Sequence, residues 1–215
     1  MLGPGLLLPL LPFIYLAPAL ISTIIVVALK WLFIGRYRPC IEPLWSHFVR
    51  RTEFITALYE NIAVPLLIGP LFGTPFLWMV LRLFGVKITK NALPLTTYMT
   101  EFDLVEVGAK CALNSGVSLQ THLFEDRVMK MSHVHVGPAS TIGQRSVVLY
   151  DNEMETGAQL GNLSLLMTGE VFTEGSKWEG SSTQSMPKMM PMSKIKPILF
   201  RMKDEDISPR FQSWE

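Results

Sequence analysis

At 215 residues the chain has room for one or two domains. Hydrophobic residues make up 49% and charged residues 17%, against about 25% charged in an average soluble domain, so much of the chain avoids water. A formal net charge of +1 argues against a nucleic-acid footprint, and two distant cysteines, Cys40 and Cys111, argue against a disulfide framework or a cysteine zinc site.

No charged residue occurs between Met1 and Leu29. Leu6 to Leu29 is an apolar run interrupted only by Ser22 and Thr23, longer than the roughly 20 residues that cross a bilayer as helix. A signal peptide is the competing reading, but the basic n-region is missing and the run is too long. Basic residues follow the run at Lys30, Arg36, Arg38, Arg50 and Arg51, which places that flank, and the chain beyond it, in the cytoplasm. Trp31 and Tyr37 suit an aromatic belt at the interface. Pro43 to Asn61 reads as an amphipathic or connecting helix. Ile62 to Leu81 is apolar but broken by Pro65, Gly69, Pro70, Gly73 and Pro75, the pattern of a re-entrant or interface-buried hairpin.

From about Val105 to Gly180 a period of six takes over. Aliphatic residues or Met recur at Val107, Leu113 and Leu119, and again at Val136, Ile142, Val148, Met154, Leu160 and Leu166. Glycine follows several of them, as at Gly108, Gly137, Gly143 and Gly161, and small residues recur four positions on, as at Cys111, Ser140, Ser146, Ala158 and Ser164. Each hexad makes one short strand and one corner, and three hexads close a triangular coil whose aliphatic residues stack inside. The expected fold is mainly β: a left-handed parallel β-helix over 86–180, preceded by a membrane-associated α-helical segment over 1–85 and followed by a tail over 181–215. Full coils are expected at 107–124, 136–153 and 154–171, with an irregular coil before them from Ile88 and a closing turn at Glu174 to Gly180. Four clustered methionines, Met186, Met189, Met190 and Met192, read as part of a mobile tail rather than a metal site.

The period breaks between Leu119 and Val136. A β-helix accepts insertions at its corners, where they project as loops, and loops on rigid scaffolds carry function. This insert holds His122, Glu125, Asp126, Arg127 and Lys130. The chemistry it suits is acyl transfer: His122 as general base, Glu125 or Asp126 holding its tautomer, and Asn114 or backbone N–H groups steadying an oxyanion. Arg127 and Lys130 are the candidate substrate-binding cations. His135 alternates with Val134 and Val136 and should face outward. Two further readings stand beside this one. The β-helix could be a non-catalytic membrane-tethered scaffold, or His122, His133 and His135 could meet between subunits as zinc ligands, although no other ligand residue supports a metal. Asn162 to Ser164 matches a glycosylation sequon, which a cytoplasmic β-helix position would leave unused.

Several blocks resemble one known family. Thr100 to Val105, Gln120-Thr-His-Leu-Phe-Glu-Asp-Arg-Val-Met-Lys, Gly137 to Gly143, Ser146 to Leu149, Gly169 and Trp178 to Gly180 are similar to the C-terminal region of polylysine-synthetase-like non-ribosomal peptide synthetases. Gly35 to Pro39, Pro43 to Ser46 and Gly73 to Phe76 extend the resemblance, which covers about residues 25–180. It implies a β-helix of the hexapeptide-repeat acyltransferase superfamily, acting at a membrane. It implies aminoacyl transfer from a phosphopantetheine or CoA thioester to an amine, with His122 as the matching histidine and no tightly bound cofactor. It also implies partners: a carrier protein or adenylation module, and further β-helix domains, as a homotrimer or in tandem. The chain itself carries no adenylation or carrier motif, so a fragment of a larger synthetase is an alternative reading.

Overall fold

The computed structural model describes residues 4–180 and the strand Gln184–Ser185, with side chains from Phe13 to Gly180. The methionine cluster and the rest of the tail lie outside the described residues.

The chain opens on helix α1, Pro4–Phe33. Along its described side chains only Ala19, Thr23, Val26 and Lys30 are buried, a single stripe at helical spacing, while Ile14, Ile21, Ile25 and Leu32 are exposed. That stripe faces a second helix. α2, His47–Leu58, starts on Ser46, whose hydroxyl accepts the Val49 N–H. It continues unbroken through π-helical turns at Tyr59–Ile68 and a 3-10 turn at Gly69–Leu71. Pro65 lies inside the π segment; the wider turn accommodates its ring and the carbonyl left without a donor. The sequence suggested a connecting helix and then a separate broken hairpin, but the two merge because the π turns carry the helix past Pro65. The Tyr15 hydroxyl donates to the Leu66 carbonyl and the Phe33 ring meets Phe54, so α1 runs antiparallel to α2 and its extension. Phe13–Phe33 and His47–Leu71 are both long and apolar enough to cross a membrane.

Helix α3, Leu77–Phe84, ends on Gly85, whose φ of 114° is a left-handed cap. α3 exposes Met79 and Leu83 and buries Leu77, Leu81 and Phe84 against the first coil of the β-helix. Two residues expected at the bilayer surface have other roles. Lys30 is fully buried against Asp103, at 2.6 Å. Tyr37 is 4% exposed and belongs to the core, not to an aromatic belt.

Three parallel sheets then wind into a β-helix. One holds the strands Lys87–Ile88, Val105–Val107, Val134–Val136, Asn152–Met154 and Val171–Phe172. Their registers stack Ile88, Val107, Val136, Met154 and Phe172 in one interior column. Pro94, Leu113, Ile142, Leu160 and Trp178 form the second column, and Met99, Leu119, Val148 and Leu166 the third. Nearly all are under 3% exposed, and each buried aliphatic side chain contributes about 1.5–3 kcal/mol. The hexad positions are therefore as expected, and the stack is longer than three coils. An irregular first coil, with Pro94 and Thr96 in place of regular hexad residues, carries the pattern back to Lys87. The small residues Cys111, Ser140, Ser146, Ala158 and Ser164 are buried as expected. Cys111 donates its thiol hydrogen to the Gly137 carbonyl at 2.9 Å, and burial pushes the thiol pKa up.

The glycines that follow the aliphatic positions, Gly108, Gly137, Gly143 and Gly161, answer to packing between coils. Left-handed corners are often filled by Lys110, Ala139, Arg145 and Leu163 instead. A Cβ on Gly143 would strike the backbone of Gly161 and Asn162 in the next coil. Coil-to-coil approach, not backbone rotation, is what demands glycine there.

In the last coil Phe172 and Trp178 stack face to face, 4.6 Å apart and 8° from parallel. Gln184–Ser185 then pairs antiparallel with Lys177–Glu179. The insertion after Leu119 is not a loose loop. It is a β-hairpin, His122–Glu125 and Val128–Met131, with Asp126 and Arg127 as its two-residue turn, at φ 50° and 62°. Two left-handed residues match the twist of a hairpin. The strand Cys40–Pro43, just after α1, adds antiparallel to Val128–Met131 and makes a three-stranded flap over the corner.

Candidate active site

His122 opens the hairpin, at the point where the chain leaves the coil. Its side chain is 17% exposed, and its Nδ1 lies 2.8 Å from Glu101 Oε2. Glu101 is fully buried at the end of the first coil. The Thr121 hydroxyl lies 2.5 Å from the same oxygen and 3.0 Å from the Thr100 carbonyl. The Phe124 ring meets the imidazole edge-on at 5.0 Å, because alternate residues of a strand share a face.

This geometry sets the tautomer. A carboxylate can only accept, so Nδ1 carries the hydrogen and Nε2 keeps its lone pair. Burial works to lower the imidazole pKa, but the hydrogen bond and charge of Glu101, with Glu53 behind them, outweigh it and raise the pKa. The ring is therefore a stronger base than a free histidine, held by a carboxylate that cannot swing away.

Glu101 itself sits at φ 38°, ψ 59°, a left-handed conformation uncommon for a non-glycine residue. Its other oxygen, Oε1, is buried and has no hydrogen-bond partner among the described residues. Tyr37 lies close by: burial, then the charge of Glu101, pushes its phenol pKa well above the usual range, so the hydroxyl stays protonated.

The other candidate residues are spread out. Glu125 ends its strand and pairs with Lys130 at 3.0 Å. Asp126 and Arg127 are exposed at the hairpin tip. At about 3.4 Å per residue, the backbone of Glu125 is roughly 10 Å along the strand from His122. The carboxylate that meets His122 is thus Glu101, a residue that sequence reasoning did not single out. Only its place in the Thr100 to Val105 block hinted at it. Asn114 lies at a different corner of the coil, where its amide donates to the Ile142 carbonyl at 2.8 Å. His133 is exposed near the foot of the hairpin. His135 faces outward as expected, 4.0 Å from Glu106, beside an open groove lined by Glu153, Glu155 and Glu174. That groove has no buried polar group aimed into it, whereas the His122 site does. Among the described residues no three histidines, cysteines or carboxylates converge as metal ligands.

No family model matches the chain. It is 45% identical over 158 residues to delta-poly-L-ornithine synthetase from Acinetobacter baumannii (strain AB307-0294), a match covering 74% of this chain and 12% of that protein. The chain thus corresponds to a small part of its relative. Among solved structures, a maltose O-acetyltransferase from Clostridium difficile 630 is similar with a TM-score of 0.49 at 12% identity, over 66% of this chain and 88% of that one.

Proposed function

Because the chain is a homologue of a segment of delta-poly-L-ornithine synthetase, we propose that it is a membrane-bound acyl- or aminoacyltransferase module that forms amide bonds from a thioester. One observation carries this reading. His122 presents a free Nε2 at a partly open surface while its Nδ1 is fixed on a buried carboxylate.

The step this arrangement suits is direct transfer. The acceptor amine nitrogen attacks the thioester carbonyl and forms the C–N bond. His122 Nε2 takes the proton that the nitrogen sheds, the C–S bond breaks, and the sulfur leaves with that proton. Glu101 keeps the ring oriented and steadies the imidazolium that forms for the duration of the step. The donor is a phosphopantetheine or CoA thioester. Arg127 and Lys130 on the flap are the proposed contacts for its phosphates. Glu125 holds Lys130 at 3.0 Å rather than orienting His122, Asp126 stands beside Arg127 in the hairpin turn, and Asn114 is a proposed contact from its own corner.

The exposed apolar faces of α1 and α3 support a membrane location, with the β-helix on the cytoplasmic side. A carrier or adenylation module and neighbouring β-helix domains, as a trimer or in tandem, complete the proposed assembly. The test is thiol release from an aminoacyl-CoA or aminoacyl-pantetheine donor with an amine acceptor, using the full chain in detergent. His122→Ala should reduce turnover by about 10²–10⁴-fold, the usual contribution of a general base. Unchanged turnover would sink the role of His122 and leave a non-catalytic scaffold as the reading.

A further inference from the structure

The turn from Glu101 to Leu104 joins three parts of the molecule through three successive side chains. Glu101 holds His122. Phe102 packs its ring on Tyr59 and Phe84, 4.9 Å from each, and so touches both the α2 extension and α3. Asp103 receives the buried Lys30 ammonium from the last turn of α1 at 2.6 Å, and the Tyr37 N–H at 3.1 Å. The Lys30 side chain is fully buried and that of Asp103 only 12% exposed. The Lys30 ammonium sits 3.6 Å over the Trp31 ring, and a Cβ on Gly85 would strike Asp103 Oδ1.

A lone buried lysine or aspartate is strongly unfavourable, whereas the pair together is tolerated. The pair therefore has one seating, and it fixes the turn relative to α1. Glu101, two residues away, is held in a left-handed conformation that is unfavourable for a non-glycine residue and persists only where its surroundings impose it.

We propose that Lys30 and Asp103 are positioning residues for the active site: by pinning the turn to the membrane helix, they impose the backbone of Glu101 that aims its carboxylate at His122. The helices are then a working part of the site and not only its anchor. This rests on the reading of His122 as the base, and its test does not depend on measuring transfer alone.

The experiment follows the His122 imidazole by NMR in the full chain in detergent, with the signal assigned through His122→Gln. Glu101, Thr100, Thr121 and Phe124 face the ring, with Glu53 further off. Asp103→Asn and Lys30→Met should each move the His122 titration down toward that of an ordinary histidine. Each should also reduce kcat by about a hundredfold, as misplacement remote from the chemistry does, with little change in KM. Asp103→Glu, which keeps the charge, should restore part of both. If a single variant fails to fold by circular dichroism, Lys30→Met combined with Asp103→Asn removes both charges and is the variant to titrate. A His122 titration identical to the parent in a folded variant overturns the proposal. If the parent shows the raised titration and its loss in the variants, yet no thioester is consumed, the positioning stands and the transferase reading fails.

Discussion

At the scale of the residue, His122 and Glu101 make a pH prediction with a definite sign. The folded-state pKa of His122 is raised above the usual 6.5. The stabilisation from the pair is complete below that value and is lost as pH rises through the folded pKa. Glu101→Gln should therefore flatten the dependence of Tm on pH above 6.5, the ordinary value. Transfer depends on the neutral ring, so the acidic limb of the rate profile should lie at the raised pKa and shift to lower pH in Glu101→Gln. A limb that stays in place would mean that another group titrates. Gly143 makes a second prediction. Gly143→Ala puts a methyl on the backbone of the next coil and should destabilise by about 1–3 kcal/mol, read as a lower urea midpoint.

At the scale of the element, the flap hairpin carries strain in its turn. Arg127 has φ 62°, and removing a Cβ from a left-handed residue relieves about 1–2 kcal/mol. Arg127→Gly should raise Tm while raising KM for the phosphate-bearing donor. A raised Tm with unchanged KM would leave Arg127 no part in binding. The elements also show where sequence reasoning reaches and where it stops. The coils were legible because each hexad repeats a local rule: an aliphatic residue inward, then a corner. His122 was legible because it interrupts that rule. Its partner was not, since Glu101 meets it only after a full coil of chain has closed, and nothing local pairs the two. The nearer carboxylates, Glu125 and Asp126, attracted attention by proximity in sequence, but strand geometry carries them away along the hairpin. Nor does any local pattern announce that Cys40–Pro43, a four-residue strand ending in proline, will become the third strand of the flap. The merged helix was hidden for a similar reason: Pro65 ordinarily breaks a helix, and only the packing of Ala63 and Ile68 in the core shows that it is carried through.

At the scale of the whole molecule, the helices and the β-helix share one continuous core that runs from Val26 through Tyr59 and Phe84 to Phe172. The outer faces of α1 remain apolar, with Ile21 and Ile25 more than half exposed. Ile21→Asp with Ile25→Asp places two charges there, each costing about 2.5–3.5 kcal/mol at the centre of a bilayer-spanning helix. That variant should shift from the membrane pellet to the supernatant after ultracentrifugation. Retention in the pellet would mean that α1 does not contact lipid.

The antiparallel pairing of Gln184–Ser185 has an architectural corollary. A stack of parallel strands grows by adding coils at an open end, and here a strand running the other way occupies that edge of one of the three sheets. The opposite end is closed by α3 lying against the first coil. A neighbouring β-helix that approached side by side would meet the flank of the prism. The flap and His122 stand on such a flank, so any neighbour that docks there would form a wall of the reaction chamber.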